Sequence, residues 1–309
     1  RIISAVFLAI LLSGATCERP VELEVELPAP ELVVISTFSP GLPFAVSVSS
    51  TRSALVPSLT DYPEDAEVSL FRGEEFLEKL RRVTGTSSTA PFFQSTENYP
   101  LAGEIYSLQV SAPGFRPVTA QSVIPRPVNI RDIEAVHTGF SPVADPGEAV
   151  HHYRITVTFD DPGAFHNFYH LRFQQELLEY VISEAGDTLI TGKTLNHIAF
   201  GQAINNNTIT AYLEDGVLFE DESFNGRRVS FSFPMQTRVV QGREMLGHLY
   251  VELRTVSDDY YRFYSTVGRQ QDNPGPPFSE PVIVFTNVED GRGIFAGYNA
   301  ALDSVRVRW

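Results

Sequence analysis

Apolar and polar residues alternate with a period of two in short segments along most of the chain, which is the pattern of strands with one buried face. Between residues 31 and 125 such segments follow one another at intervals of roughly ten residues, and clusters of Pro, Gly and Asp that favour turns separate them. Phe44, Val46 and Val48, for example, alternate with small polar residues. We therefore predict an immunoglobulin-like or transthyretin-like β-sandwich over residues 31–125.

A second region with the same alternation follows the prolines at positions 125 and 127, which interrupt regular structure and mark a domain boundary. Residues 153–159 alternate cleanly and run into the turn sequence Asp-Asp-Pro-Gly. The pattern predicts that residues 126–309 form another antiparallel β domain, either a sandwich or a barrel-like sheet. The fold class expected for the chain is therefore all-β.

One segment of this second region has helical periodicity instead. Ser257 is a favourable N-cap, and the acidic residues after it suit the positive end of a helix dipole. Aromatic residues recur at helical spacing from Tyr260 to Tyr264, and Gly268 is placed to end the helix. The spacing predicts one short helix whose aromatic stripe packs into the core.

The first residues of the chain have the composition of a secretory signal. Arg1 precedes a predominantly apolar run, residues 2–12, which small residues and then Cys17 follow. The run is shorter than the ~20 residues that a membrane-spanning helix needs, and its length is typical of a signal peptide. We predict a signal peptide over residues 1–16, with two alternative endings. Cleavage before Cys17 leaves a cysteine for acylation, as in bacterial lipoproteins, whereas cleavage after Ala15 leaves Cys17 as a free thiol.

The lipoprotein alternative is favoured because the one cysteine of the chain stands at the end of the apolar run. Several acyl chains on Cys17 would form a stable membrane anchor. Thr16 departs from the small residue that usually precedes such a cysteine, so the second alternative stays open. The acidic, Pro-containing residues 17–30 predict a solvated tether, and they resemble the surface-export signal of Bacteroidota lipoproteins.

The charge and motifs of the chain exclude several classes of function. A net charge of −15 argues against nucleic acid as a partner, because the phosphate backbone requires a basic surface. The segment GDTLITGKT has five residues between Gly186 and Gly192, whereas a phosphate loop needs four, so we predict a strand, a turn and a strand there. The chain has no recognisable hydrolase, dinucleotide or glycosidase motif, and we expect neither an enzyme nor a cofactor.

Four residues around the Asp-Asp-Pro-Gly turn are the best candidates for metal ligands in the sequence, but their spacing gives only weak support for a metal site. On a helix His166 and His170 would share a face and could bind zinc beside Asp160 and Asp161. The Pro-Gly before them and the strand pattern after them argue against a helix. We therefore predict a strand-end turn with exposed histidines and no metal site.

Three segments of the chain carry a family resemblance. They are EDAEVSLFRG, FDDPGAFHNFYHLRF and the long segment DDYYRFYSTVGRQQDNPGPPFSEPVIVFTNVEDGRGIFAGYNA. With them the chain resembles the Bacteroidota lipoproteins grouped as domain of unknown function 4249, over nearly its whole length. The family motif residues are Tyr260, Tyr261, Phe278, Asn287, Gly291, Gly293 and Phe295.

The residue types of this motif indicate structural roles. Asn287 is expected to form an Asx-type turn, and Gly291 and Gly293 to supply positive φ between two strands. Phe278 and Phe295 are expected to pack against the aromatic helix. The resemblance implies no catalytic residue.

The resemblance implies a lipid-anchored outer-membrane protein that is exposed on the cell surface. Such proteins look like accessory components of TonB-dependent receptor systems, and the expected function is the non-enzymatic binding of a ligand or a partner barrel. The alternatives are a surface adhesin or structural module and, less favoured, a secreted enzyme that acts on glycans.

Overall fold

The strands of the first region have the faces that their alternating residues predict. The computed structural model describes residues 29–52, 60–143, 147–198, 209–272 and 282–307. Phe44, Val46 and Val48 are all buried, as predicted. The strands of this region are β1 (Leu32–Phe38), β2 (Ala45–Ser50), β3 (Glu67–Arg72), β4 (Glu75–Lys79), β5 (Arg81–Val83), β6 (Phe92–Gln94), β7 (Ile105–Ser111) and β8 (Val118–Val123).

The second region contains longer strands and a helix. Residues 153–159 bury every second side chain, in agreement with the alternation. The elements are β9 (Ile130–Pro142), β10 (Glu148–Asp160), β11 (Phe168–Ile182), β12 (Thr188–His197), β13 (Ile209–Leu213), β14 (Gly216–Glu220), β15 (Arg228–Val240), β16 (Glu244–Val256), α1 (Asp258–Asp272), β17 (Val288–Glu289) and β18 (Arg292–Arg306).

The strands of the described residues form three sheets. The largest has the order β13-β14-β11-β16-β18-β1-β2-β6-β5, with β12 also paired to β11. The second sheet is β15-β10-β9 and the third is β17-β8-β7-β3-β4. Among the described strand pairs only β1 and β18 run parallel, and the others are antiparallel.

The large sheet packs against each of the other two sheets around a separate core. Its β1–β2 part packs on the five-stranded sheet, around Phe44 and Tyr106. Its β11–β16 part packs on the three-stranded sheet around a group of aromatic rings in contact that includes Phe159, Phe219 and Phe231. Both halves are therefore sandwiches, and the all-β prediction is confirmed.

Strand β18 joins these two sandwiches. Its first residues pair with β1 from Arg292 to Gly297, and its later residues pair with β16 from Tyr298 to Arg306. Strand β17 also returns to the first region, where it pairs with β8. The chain leaves β8 near residues 125–127, where the boundary was predicted, but the division into residues 31–125 and 126–309 stays a prediction because these later strands complete the first sandwich.

Helix α1 begins where its sequence predicts and ends later. The hydroxyl of Ser257 accepts a hydrogen bond from the backbone N–H of Tyr260, as an N-cap does. Gly268 was expected to end the helix, but the helix continues to Asp272. The glycine instead allows close packing, since a Cβ there would lie 3.1 Å from the Cβ of Ala211 on β13. None of the helices in the described residues has the length and apolar character to span a bilayer.

Candidate functional site

The four metal candidates of the sequence do not form one site. Asp160 is exposed and pairs with Arg131 and Arg228, at 3.0 and 2.7 Å. Across the described ranges, no group of three or more His, Cys, Asp or Glu side chains is placed to hold a metal ion. The other three candidates contact different side chains: Asp161 contacts Tyr169, His166 contacts Glu220, and His170 contacts Asp215.

His170 is buried, which corrects the prediction of two exposed histidines at this turn. Its side chain is only 1% exposed, because β11 carries it to the face of the large sheet that α1 covers. His170 Nδ1 lies 2.9 Å from the hydroxyl of Tyr260, and Nε2 lies 3.4 Å from Asp215 Oδ1. His166, at the turn itself, is exposed as predicted, and its Nε2 lies 2.9 Å from Glu220 Oε2.

Charged side chains surround His170 beneath α1. Arg172 donates to Glu252 at 2.8 Å and pairs with Asp215 at 2.7 Å. Arg254 donates to the other oxygen of Glu252 at 2.8 Å, and its guanidinium lies 4.2 Å from the ring centre of Tyr298. We call this cluster the α1 network; its members are His170, Arg172, Asp215, Glu252, Arg254 and Tyr260.

The register of two strands creates the α1 network. Strands β11 and β16 are antiparallel neighbours, and their pairing places Arg172 opposite Glu252 and His170 opposite Arg254. Sequence reasoning named His170 and Tyr260 in other roles and missed Arg172, Asp215, Glu252 and Arg254. The available signal was the run of charged residues at alternate positions of both strands, but only the register shows that opposite charges face each other.

The polarity of the hydrogen bonds defines the tautomer of His170. Arg254 NH1 donates to the hydroxyl oxygen of Tyr260 at 3.2 Å. The hydroxyl then donates its own hydrogen to His170 Nδ1, which leaves the ring proton on Nε2, facing the carboxylate of Asp215. The opposite tautomer would place a bare nitrogen against a negative charge.

The charges of the α1 network balance. Burial works to raise the pKa of Asp215, but His170 and Arg172 outweigh it and hold the pKa below its usual value. Burial lowers the pKa of His170, so the ring is neutral at pH 7, and burial raises the pKa of Tyr260. Two arginines therefore face two carboxylates, and the hydrogen bonds that Tyr260 forms with Arg254 and His170 bind α1 to the sheet.

Asn287 of the family motif connects strands instead of forming a simple turn. Its Oδ1 accepts a hydrogen bond from the backbone N–H of Phe295 at 3.0 Å, and its Nδ2 donates to the carbonyl of the same residue at 2.8 Å. Nδ2 also lies 3.2 Å from the carbonyl of Gln121. The side-chain amide of Asn287 thus hydrogen-bonds to the backbone of β18 as a neighbouring strand would, and it also hydrogen-bonds to β8.

The structure requires glycine at the two motif positions for different reasons. Gly293 has a φ of +110°, as predicted, and a Cβ there would lie 2.0 Å from the carbonyl oxygen of Val34. The prediction of positive φ at Gly291 is wrong, because Asp290 takes the left-handed conformation at this turn. Position 291 requires glycine because the backbone of β1 passes close to it: a Cβ there would lie 2.7 Å from the carbonyl oxygen of Leu32.

The aromatic residues of the motif lie on different faces. Tyr260 is buried under α1, and Tyr261 at the helix surface stacks on Phe168 at 4.4 Å. Phe295 was expected to pack against the helix, but it points into the core of the first sandwich and packs against Phe38, with the two ring centres 4.4 Å apart. The expected contact of Phe278 lies outside the described residues, as does Cys17.

The hairpin of β11 and β12 exposes apolar side chains on both of its faces. The turn predicted at Gly186 is confirmed by its φ of +87°. Beside the turn, Val181 lies opposite Leu189 and Tyr180 lies opposite Ile190. We call this surface the hairpin tip; its exposed apolar side chains are Val181 (50% exposed), Ile182 (58%), Leu189 (51%) and Ile190 (52%).

The sequence matches a family model over most of its length. The model describes a Domain of unknown function (DUF4249) and matches residues 18–303. The chain belongs to this family. In this DUF4249 protein the α1 network, the hairpin tip and Asn287 all lie inside the matched range, which begins one residue after Cys17.

Two further comparisons add little to the family assignment. No curated protein matches the DUF4249 chain. Among solved structures, the crystal structure of Dpr2 Ig1-Ig2 in complex with DIP-Theta Ig1-Ig3 is similar at 13% identity, and the match covers 69% of this chain and 98% of that chain. Its TM-score is 0.19, so the fold described above rests on the sheets of this chain alone.

Proposed function

We propose that this protein is a non-enzymatic lipoprotein of the outer membrane, exposed on the cell surface, that binds a partner protein through the hairpin tip. The observation that carries the proposal is the group of apolar side chains on both faces of the tip. Exposed apolar clusters of this kind mark interaction surfaces, whereas single exposed apolar residues need no explanation. The partner that we propose is a TonB-dependent receptor.

The chemistry of the hairpin tip favours a protein over a lipid surface. Glu184 and Asp187 lie in the turn beside the apolar residues, and the protein as a whole has a net charge of −15. Anionic lipid headgroups would repel both. A partner barrel offers apolar surface without this repulsion, and because the tip side chains are 50–58% exposed, covering each one contributes about half of the ~1.5–3 kcal/mol of full burial.

The position of β12 supports the same mode of binding. Strand β12 pairs with β11, and among the described strands no other is paired with it. Nearly all of its residues are exposed. Its second edge therefore presents backbone N–H and C=O groups, and a partner strand can add there while its side chains cover the apolar residues.

A pull-down from membranes in gentle detergent tests the partner. The variant Leu189→Ser with Ile190→Ser removes apolar surface from the tip without charge change, and we expect recovery of the receptor to fall roughly 10-fold or more. The matched control is Leu302→Ser with Ile105→Ser, which removes apolar residues that are 69% and 47% exposed elsewhere. Equal recovery with both double variants would refute the role of the tip.

The membrane anchor has its own test. Metabolic labelling with an alkyne fatty acid should label the wild-type protein and leave Cys17→Ser unlabelled. Wild-type protein without label supports cleavage after Ala15 and removes the anchor from the proposal. Label that persists in Cys17→Ser also contradicts acylation at this residue.

A further inference from the structure

Two buried carboxylates lie close together where the ends of two strands meet. Asp161 directly follows β10, and Asp221 directly follows β14. Asp161 is 6% exposed and the Asp221 side chain is fully buried. Burial of a charged carboxylate is costly unless an opposite charge compensates it.

The contacts of these carboxylates supply little positive charge. Asp161 accepts hydrogen bonds from the Tyr169 hydroxyl and, at 2.8 Å, from the backbone N–H of Gly226. Asp221 Oδ2 accepts from the backbone N–H of Asn167 at 2.8 Å. Among the described residues no Lys or Arg forms a salt bridge with either carboxylate, because the nearby arginines pair with Asp160 instead.

One carboxylate oxygen is left without a hydrogen bond. Asp221 Oδ1 is buried and accepts none in the structure. His166 Nδ1 lies 2.9 Å from this oxygen without a hydrogen bond to it, and His166 Nε2 lies 2.9 Å from Glu220 Oε2. A cation bound at the cluster would satisfy this buried carboxylate oxygen.

Oxygen atoms also converge on the amide nitrogen of Asn167. Asp161 Oδ1 lies 3.4 Å from Nδ2 and Asp221 Oδ2 lies 3.1 Å from it. The carbonyl oxygens of Pro162 and Phe165 lie at 3.0 and 2.9 Å. An amide group has two hydrogens and cannot satisfy all of these acceptors. Carboxylate and carbonyl oxygens around one point form the donor set that Ca²⁺ prefers.

We propose that Asp161, Asp221 and Asn167, with the carbonyls of Pro162 and Phe165, form a calcium site. Rotation of the Asn167 amide would turn its oxygen toward the cation, and the other oxygens would move inward to the ~2.3–2.6 Å of calcium ligands. Water would complete the coordination. Since no three His, Cys, Asp or Glu side chains of the described residues are placed to hold a metal ion together, the site depends on amide and carbonyl oxygens.

The surroundings of the site allow a cation to enter. A surface pocket of about 490 Å³ borders Asp161 and Pro162. The hydrogen bonds to the carbonyls of Pro162 and Phe165 are exposed to solvent. Bound calcium would tie the turn between β10 and β11 to the end of β14, which stabilises both against unfolding.

Terbium luminescence and thermal unfolding test the proposal together. The Tyr169 hydroxyl contacts Asp161, so excitation of tyrosine should sensitise Tb³⁺ in the site. We expect saturable Tb³⁺ emission from the wild type, displaced by Ca²⁺, and a melting temperature that rises by about 5 °C or more at a hundredfold excess of Ca²⁺ over its Kd. Mg²⁺ at the same concentration should raise it less.

Matched carboxylate variants locate the binding. Asp160→Asn removes the neighbouring exposed carboxylate and should keep both signals. Asp161→Asn and Asp221→Asn should lose both, and if one of them fails to fold, the other decides. An identical wild-type melting temperature in EDTA and in Ca²⁺ would overturn the site. So would Tb³⁺ emission that persists in the folded Asp161 or Asp221 variant, since it would reflect binding to the acidic surface.

Discussion

The hydroxyl of Tyr260 is the best single atom with which to test the α1 network. It accepts a hydrogen bond from Arg254 and donates one to His170, and the side chain is 1% exposed. Tyr260→Phe keeps the ring and its packing but leaves both partners short of a hydrogen bond in a buried place. We expect this substitution to lower the free energy of unfolding by about 2–3 kcal/mol, because an unsatisfied buried group costs about 1–3 kcal/mol and a charged one costs more.

Tyr261→Phe is the matched control for this change. Tyr261 lies next to Tyr260 on α1, and its hydroxyl bonds to Thr210 at 2.8 Å near the protein surface, where water can replace it. We expect it to cost less than about 0.5 kcal/mol. Urea unfolding followed by far-UV circular dichroism measures both values, and unchanged m-values would show that the unfolded states are comparable. Equal losses for the two variants would refute the view that the network binds α1 to the sheet.

Three other predictions concern the motif and the pH dependence of stability. Gly293→Ala should lower the melting temperature severely or prevent folding, because its Cβ would lie 2.0 Å from the Val34 carbonyl; a loss below about 1 kcal/mol in a denaturant series would contradict the parallel pairing of β18. Asn287→Ala should cost about 2 kcal/mol in the same assay, since the N–H and C=O of Phe295 both lose a partner, and a neutral result would exclude that role. His170 has a folded pKa below its unfolded value near 6.5, so its contribution is present above that pH and is lost as pH falls toward the folded pKa. Stability should therefore decrease by up to about 1.4 kcal/mol per pH unit below pH 6.5, and His170→Gln should flatten this part of the profile measured by urea unfolding; an unchanged slope would contradict a buried neutral ring.

Local patterns predicted much of the fold correctly. The alternation of Phe44, Val46 and Val48 predicts a buried face, and Ser257 predicts the start of α1; both are confirmed. Such features depend on the geometry of one strand or one helix turn, which a few neighbouring residues determine. The prediction that α1 ends at Gly268 was wrong. The glycine is there because Ala211 on β13 packs closely against the helix at this position.

The candidate sites depended on contacts between residues that are distant in the chain. Asp161 and Asp221 are separated by 60 positions, and neither has a motif spacing that predicts their meeting. His170 looked like an exposed turn residue until α1 was seen to cover it. Phe295 belongs to the first core because β18 pairs with β1, a parallel contact that no local pattern indicates.

The sequence by itself determined the all-β class, the strand faces, the start of the helix and the family, because these follow from side-chain periodicity, capping and motif residues. Tertiary structure alone decided which strands share a sheet and which charges face each other. Strand register and the parallel β1–β18 contact bring these groups together, and the free energy of such pairings comes from side chains that are far apart in sequence. The α1 network, the hairpin tip and the two buried carboxylates are therefore visible only in the folded chain.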